Sequence, residues 1–259
     1  MRRPYRVHVT TMTIPAVLSA RLATDPEQPL VTFYDDSTGE RVELSGTSFA
    51  NWVAKTANLV RDGLGAQPDH RLALALPTHW LGPVWLCATW ACGLEVVLDP
   101  ARNQPGGYDY AVTGPADLGP LAELASEQTV ALSLRPLGGR FTEPLPAGVL
   151  DYAAEVPSYG DFFGDSLADP ASPALLAGDL ACDQAALVEK ALATAADVGL
   201  EPGSRLLTDH NPASRGGLFL AWLAPLVAGG SVVLVRNPDP AALAARSQQE
   251  RVTATALTN

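Results

Sequence analysis

Two long stretches without a formal charge constrain this chain more than any other feature. Residues 72–94 run for 23 positions and residues 216–235 for 20 positions between charged side chains. Stretches of that length either cross a bilayer or fill a large protein core. Their punctuation decides between the two. The first contains Pro77, Thr78, His79, Gly82 and Pro83; the second contains Gly216, Gly217, Pro225, Gly229 and Gly230. Each divides into strand, turn and helix pieces, and such a broken backbone would lack hydrogen-bond partners in hydrocarbon. The expectation is a buried α/β core and no membrane span.

The flanking segments follow the same alternation. Residues 30–34 (LVTFY) are β-branched and aromatic, 35–39 are turn chemistry, and 41–44 return as the second strand of a hairpin. Phe49, Trp52, Val53, Thr56, Leu59 and Val60 recur at helical spacing over 48–63. A strand at 71–76, an apolar helix at 80–92 closed by Gly93, and a strand at 96–98 stopped by Asp99-Pro100 come next. Segments at 110–113, 118–124 and 129–134 continue the series, and 136–146 is a Pro/Gly-rich loop. Beyond an acidic, irregular stretch at 151–173 the pattern predicts a helix at 183–198, strand 205–208, helix 218–227, strand 231–235, helix 241–250 and strand 253–257. Such alternation argues an α/β fold with two mostly parallel sheets flanked by helices. The expected division is a first α/β subdomain at 13–165 and a second at 166–259. Residues 1–12 read as a disordered arm, or as sequence upstream of a true start at Met12. The apolar run at 14–20 is ended by Arg21 and has helical spacing, so it reads as a first helix rather than a signal peptide, and the expected location is cytoplasmic.

Composition removes further classes. The formal net charge is −11, which is poor in the basic face that nucleic-acid binding needs, so no nucleic-acid partner is expected. The three cysteines, Cys87, Cys92 and Cys182, form no Cys-x-x-Cys pair, so neither a disulfide scaffold nor a structural metal site is expected. The chain holds no Gly-x-Ser-x-Gly elbow, no Walker loop and no Gly-x-Gly-x-x-Gly fingerprint.

Six segments, in order, resemble the N-terminal domain of the AMP-forming adenylate ligases, the group that includes acyl-CoA synthetases and peptide adenylation domains. They are 41–52 (RVELSGTSFANW), 69–77 (DHRLALALP), 90–100 (WACGLEVVLDP), 199–207 (GLEPGSRLL), 226–234 (LVAGGSVVL) and 251–255 (RVTAT). The resemblance covers residues 13–259 and implies the first half of that domain's fold. It also implies where nucleotide chemistry should sit, and there the chain departs. The family holds ATP phosphates on a glycine- and hydroxyl-rich loop with a lysine, because close backbone N–H groups and positive charge suit an anion. The matching stretch, 173–182 (PALLAGDLAC), has one glycine, no hydroxyl and no lysine, and it adds Asp179. The loop reads as deleted, with the chain passing straight into the next helix. The family's histidine before its Gly-Leu helix start falls on Ser214, with His210 four residues too early. The family's later motifs lie beyond Asn259, so the chain reads as a truncated homologue.

The best polar cluster follows a strand and precedes a helix, at the edge where open α/β sheets bind ligands. It comprises Asp209, His210, Asn211, Ser214, Arg215, Gly216 and Gly217, with His79 after the strand at 71–76. As a binding site, it would place a ligand at a helix N-terminus with Arg215 as counter-charge. As structure, Asn211 or Ser214 would cap that helix, which is the simpler reading. Trp52, Trp80, Trp85 and Trp90 could line an acyl pocket, but on apolar helices they read first as core. No catalytic residue and no cofactor is assigned. The leading expectation is a catalytically incomplete, pseudoenzyme-like homologue that binds a small molecule or a protein partner. The alternatives are a half-ligase completed in trans by another chain, the only reading that implies Mg-ATP or AMP, and a purely structural or interaction module.

Overall fold

A computed structural model describes residues 12–100, 107–123, 125–164 and 166–258. Apart from Met12, the arm expected at the N-terminus lies outside the described residues. The first sheet has five strands in the spatial order β12 (Ala254–Ala256), β10 (Arg205–Thr208), β11 (Ser231–Arg236), β1 (Pro29–Asp35) and β2 (Glu40–Ser45). The second has seven, in the order β7 (Val149–Asp151), β6 (Ala125–Ala131), β5 (Tyr108–Thr113), β3 (Arg71–Ala75), β4 (Glu95–Leu98), β8 (Pro173–Ala177) and β9 (Leu180–Asp183). Pairing is parallel throughout, save for one antiparallel hairpin at an edge of each sheet, β1–β2 and β8–β9. The fold is the expected α/β arrangement of two mostly parallel sheets flanked by helices.

Local chemistry sets the helices. In α1 (Ile14–Thr24), the Thr13 hydroxyl accepts from the Ala16 N–H at 3.3 Å, and Pro15 occupies the first turn. In α2 (Gly46–Asn58), the Ser45 hydroxyl accepts from the Ser48 N–H at 3.1 Å, and Phe49, Val53 and Ala57 form the inner stripe. A π-helical turn over Leu59–Gly63 extends it. Every residue of α3 (Leu81–Ala91) is buried, as its charge-free sequence requires. The Trp90 indole N–H donates to the Ala174 carbonyl at 2.8 Å and ties α3 to β8. After the short α4 (Leu118–Ala122) and α5 (Tyr152–Glu155), α6 (Gln184–Asp197) is capped by Asp183, whose carboxylate accepts from Ala186 N–H at 2.7 Å. A π-helical turn at Phe219–Leu223 runs into α7 (Ala224–Val227), and α8 (Pro240–Gln249) begins on an Asp239 cap.

These helices make a layered body. The main core joins α1, α2, α3, α6 and α7 to the facing sides of both sheets, with Trp85, Trp90, Trp222 and Phe49 at its centre. Alternation along the strands supplies the outer layers. Leu72 and Leu74 of β3 face the main core, while Ala73 joins a second cluster with Leu121 of α4. Val232 and Leu234 of β11 face inward, while Val233 and Val235 pack with Leu243 of α8.

Two sequence expectations need correction. The sheets do not follow the expected boundary at residue 165. β1 and β2 join the later strands through the register Val31↔Val232, and β8 and β9 join the earlier ones through Val96↔Leu175. The apolar face of the β1–β2 hairpin needs a neighbour, and it finds one far along the chain. Residues 173–182 do not run straight into the next helix either. They form the β8–β9 hairpin, and Ala177 pairs with Leu180 across a two-residue turn, Gly178-Asp179. Gly178 takes φ +66°, the left-handed geometry that short hairpin turns demand.

Candidate ligand cleft at the carboxyl ends of the strands

Where the two sheets meet, their carboxyl ends border a cleft of about 340 Å³. Three strands are stopped there by proline dipeptides: Leu76-Pro77 after β3, Asp99-Pro100 after β4 and Gly114-Pro115 after β5. Proline ends the ladder because it has no N–H to donate. Arg236 at the end of β11 closes the side belonging to the first sheet, and Leu134 and Asp117 come from the loops after β6 and β5. Of the four described non-glycine residues with left-handed backbone, Asp99 (φ 52°) and Leu134 (φ 53°) line this cleft and Asn237 (φ 50°) follows Arg236. Strained backbone of this kind concentrates at ligand clamps.

Asn211 and Ser214, two residues of the sequence-predicted cluster, also line the cleft. The Asn211 amide donates to the Leu76 carbonyl at 2.7 Å and joins the loop after β10 to the end of β3. Its side-chain oxygen accepts from the Ala213 N–H at 2.9 Å. The Ser214 hydroxyl donates to the Asn211 carbonyl at 2.8 Å and accepts from the Gly217 N–H at 3.1 Å. Both side chains therefore hold the turn at 211–217 together; the helical segment that follows starts at Leu218 without a side-chain cap, so the expected helix-capping role is not theirs. A Cβ on Gly217 would overlap the Asn211 carbonyl, while Gly216 has open space beside it.

The other predicted residues point elsewhere. The Asp209 carboxylate accepts from Thr258, from its N–H at 2.8 Å and from its hydroxyl. His210 is half-buried, and its N–H donates to the Thr208 hydroxyl at 3.1 Å. Arg215 leans away over the β8–β9 turn and pairs with Asp179 at 2.5 Å. The residue expected to serve as counter-charge to a ligand is thus spent on the hairpin tip. His79 is buried and lines a separate cavity of about 180 Å³ with Trp52, Trp80 and Tyr152; its ring lies 4.8 Å from Phe33 and 5.5 Å from Trp80. Its Nδ1 accepts from the Leu81 N–H at 3.2 Å, so it helps to start α3. Burial and the nearby Arg236 charge push its pKa down to about 3, and the ring is neutral.

Sequence reasoning missed Arg236, Asp117, Gly114 and Leu134, which come from separate strand ends that only the sheet order brings together. Arg236 lies 3.8 Å from Asp35. Burial works to raise the Asp35 pKa, but hydrogen bonds from Ser37 and Asn237 and the Arg236 charge outweigh it, and the carboxyl sits below its ordinary range. The remaining charged groups on the wall, Asp99 and Asp117, are both negative. The resident polarity thus suits a neutral or cationic group better than phosphates. The residues of the β8–β9 turn do not fit a nucleotide either: Gly178 has Arg215 against it and Asp179 brings a carboxylate. Among the described residues there is no group of three or more His, Cys, Asp or Glu side chains able to hold a metal ion, and no helix long and apolar enough to cross a membrane.

This architecture is that of the acyl-CoA synthetases. The chain superposes on the crystal structure of a Brucella canis acyl-CoA synthetase with a TM-score of 0.78 at 18% identity, covering 96% of this chain and 47% of that one. It superposes on acetoacetyl-CoA synthetase from Streptomyces lividans with the same score and identity, covering 96% of this chain and 42% of that one. The chain therefore spans less than half the length of these two structures, and at this identity the likeness is one of fold. No family model matches the sequence. A Mycobacterium tuberculosis protein, described as a TIGR03089 family protein, is 37% identical over 238 residues, covering 92% of this chain and 95% of its own length. The chain belongs to the TIGR03089 family.

Proposed function

We propose that this protein has kept the acyl-CoA synthetase fold without its adenylation chemistry, and binds a small neutral or cationic molecule in the carboxyl-end cleft. The observation that carries this reading is the β8–β9 turn. Ala177 pairs with Leu180, so only Gly178 and Asp179 lie between the strands, and Arg215 is salt-bridged across them. Two residues leave no concave array of N–H groups for a triphosphate, and the Arg215 guanidinium at the turn is already paired with Asp179. The cleft itself is at the small end of the usual range for ligand sites, about 300–1,000 Å³.

The test is ATP–pyrophosphate exchange with a panel of short, medium and aromatic carboxylic acids. No exchange above a no-enzyme blank is expected with the chain alone or mixed with candidate second chains. Exchange by the chain alone would overturn the reading. Exchange that appears only with a second chain would replace it by a half-ligase completed in trans, the reading that the less-than-half coverage of the solved synthetases would favour.

A further inference from the structure

At the opposite, amino ends of β1, β10 and β11 lies a cavity of about 1080 Å³, three times the volume of the cleft. Its two walls differ in chemistry. Val17 and Ala20 of α1, Val188 and Leu192 of α6, and Leu226 and Val227 form an apolar wall. Leu192 is 38% exposed on this wall. The facing wall is charged, and its charges fall into two sets.

One set is closed. The Arg205 guanidinium, only 13% exposed, binds the Glu250 carboxylate at 2.6 Å and the Thr32 hydroxyl at 2.9 Å. Arg41 binds Glu43 at 2.7 Å and Glu250 at 2.9 Å. Two guanidinia therefore balance two carboxylates. The second set is open. Among the described residues Arg21 donates to backbone carbonyls alone, of Asp25 at 2.8 Å and Gly230 at 3.4 Å. Arg251 is exposed, held at φ 52°, and forms no ion pair among the described residues. Asp25 is the single carboxylate on the wall outside the closed set, so the cavity carries an excess positive charge on a chain whose formal charge is −11.

We infer that this cavity is a second ligand site, for an anionic amphiphile: a single carboxylate or phosphate head held at the mouth by Arg251 and Arg21, with an apolar body along α1, α6 and α7. The network at Glu250 pairs the other charges of the polar wall, which leaves Arg21 and Arg251 as its guanidinia without a carboxylate partner among the described residues. This site lies across the sheet from the carboxyl-end cleft and stands whether or not that cleft binds anything.

The experiment is calorimetric titration of the purified full chain with dodecanoate and dodecyl phosphate, each below its micelle-forming concentration, and with dodecanol below its solubility limit. One anion per chain is expected, bound about tenfold more tightly than the alcohol. Arg251→Gln, at a side chain without an ion pair, should weaken the anions about fivefold and leave the alcohol unchanged. Leu192→Trp, at a half-exposed position that tolerates bulk, should weaken all three about tenfold by filling the apolar wall. Binding of dodecanoate alone or of dodecyl phosphate alone would support the site and assign its head group. Equal affinity for alcohol and anions, several ligands per chain, or binding unmoved by both substitutions would overturn it.

Discussion

His79 shows how one buried side chain sets a pH limit on the whole protein. Its pKa falls from 6.5 unfolded to about 3 folded because burial disfavours the imidazolium. The unfolded chain therefore binds the extra proton first. Stability is complete above pH 6.5 and falls as pH drops from there toward 3, by up to about 1.4 kcal/mol per pH unit. His79→Asn, which keeps an acceptor near the Leu81 N–H, should flatten this limb in urea unfolding measured at several pH values; an unchanged slope would remove His79 as its cause. Gly217 is a second single-residue constraint. Gly217→Ala must push the Asn211 carbonyl away and should cost about 1–3 kcal/mol in the same assay. The sequence marks both positions as candidates for binding, and the chemistry that makes them candidates is real. What it does not carry is direction: Phe33 and Trp80 enclose His79 only after the sheets pack, and Arg215 turns to Asp179 because the hairpin tip lies beside it.

Among the elements, α8 and the β8–β9 hairpin behave differently from their sequence appearance. Helix α8 is largely exposed, with Arg246 its buried residue, and it is anchored to the first sheet by buried charge. Arg246 lies 2.5 Å from Asp36 and 4.2 Å over the Tyr34 ring, and Glu250, just past the helix end, accepts from Tyr34, Arg41 and Arg205. Burial raises the Glu250 pKa, but the hydrogen bonds from Tyr34, Arg205 and Arg41 outweigh it, and the group sits below its ordinary 4.5. Its contribution is therefore present above pH 4.5 and is lost as pH falls through the folded value. Glu250→Gln leaves two guanidinia short of a carboxylate and should cost about 3–5 kcal/mol near neutral pH. Hydrogen exchange should show α8 losing protection ahead of the central strands in Glu250→Gln and not in the unsubstituted chain; α8 protection unchanged by the substitution would contradict the anchoring. By contrast, the Arg215–Asp179 pair is exposed, and Arg215→Ala should leave the unfolding midpoint unchanged. Element positions were largely legible, because periodicity and proline stops are local signals. The hairpins were not equally so. The β1–β2 turn has an Asp-Asp-Ser-Thr-Gly signature, whereas PALLAGDLAC reads as a shortened loop until Ala177 and Leu180 are seen to pair.

For the molecule as a whole, the two charge-free stretches announce the central layer: α3 and the helix leading into α7 pass between the sheets with their tryptophans fully buried. That much follows from composition and punctuation. The interleaving of the sheets does not, since parallel pairing of β1 with β11 depends on contacts between distant segments that no local pattern records. The same interleaving assembles the cleft from six separate strand ends, which is why only Asn211 and Ser214 of its lining were named from the cluster. We propose that a fold shared with acyl-CoA synthetases here lacks a phosphate cradle. The most direct measurement is thermal unfolding with and without Mg-ATP, AMP and an acyl-CoA at millimolar concentration. A ligand at about a hundred times its Kd adds about 2.7 kcal/mol, or about 5–10 °C for a chain of this size. No shift is expected with Mg-ATP or AMP on a sample that unfolds cooperatively; a saturable shift of that size with either nucleotide would contradict the loss of the cradle.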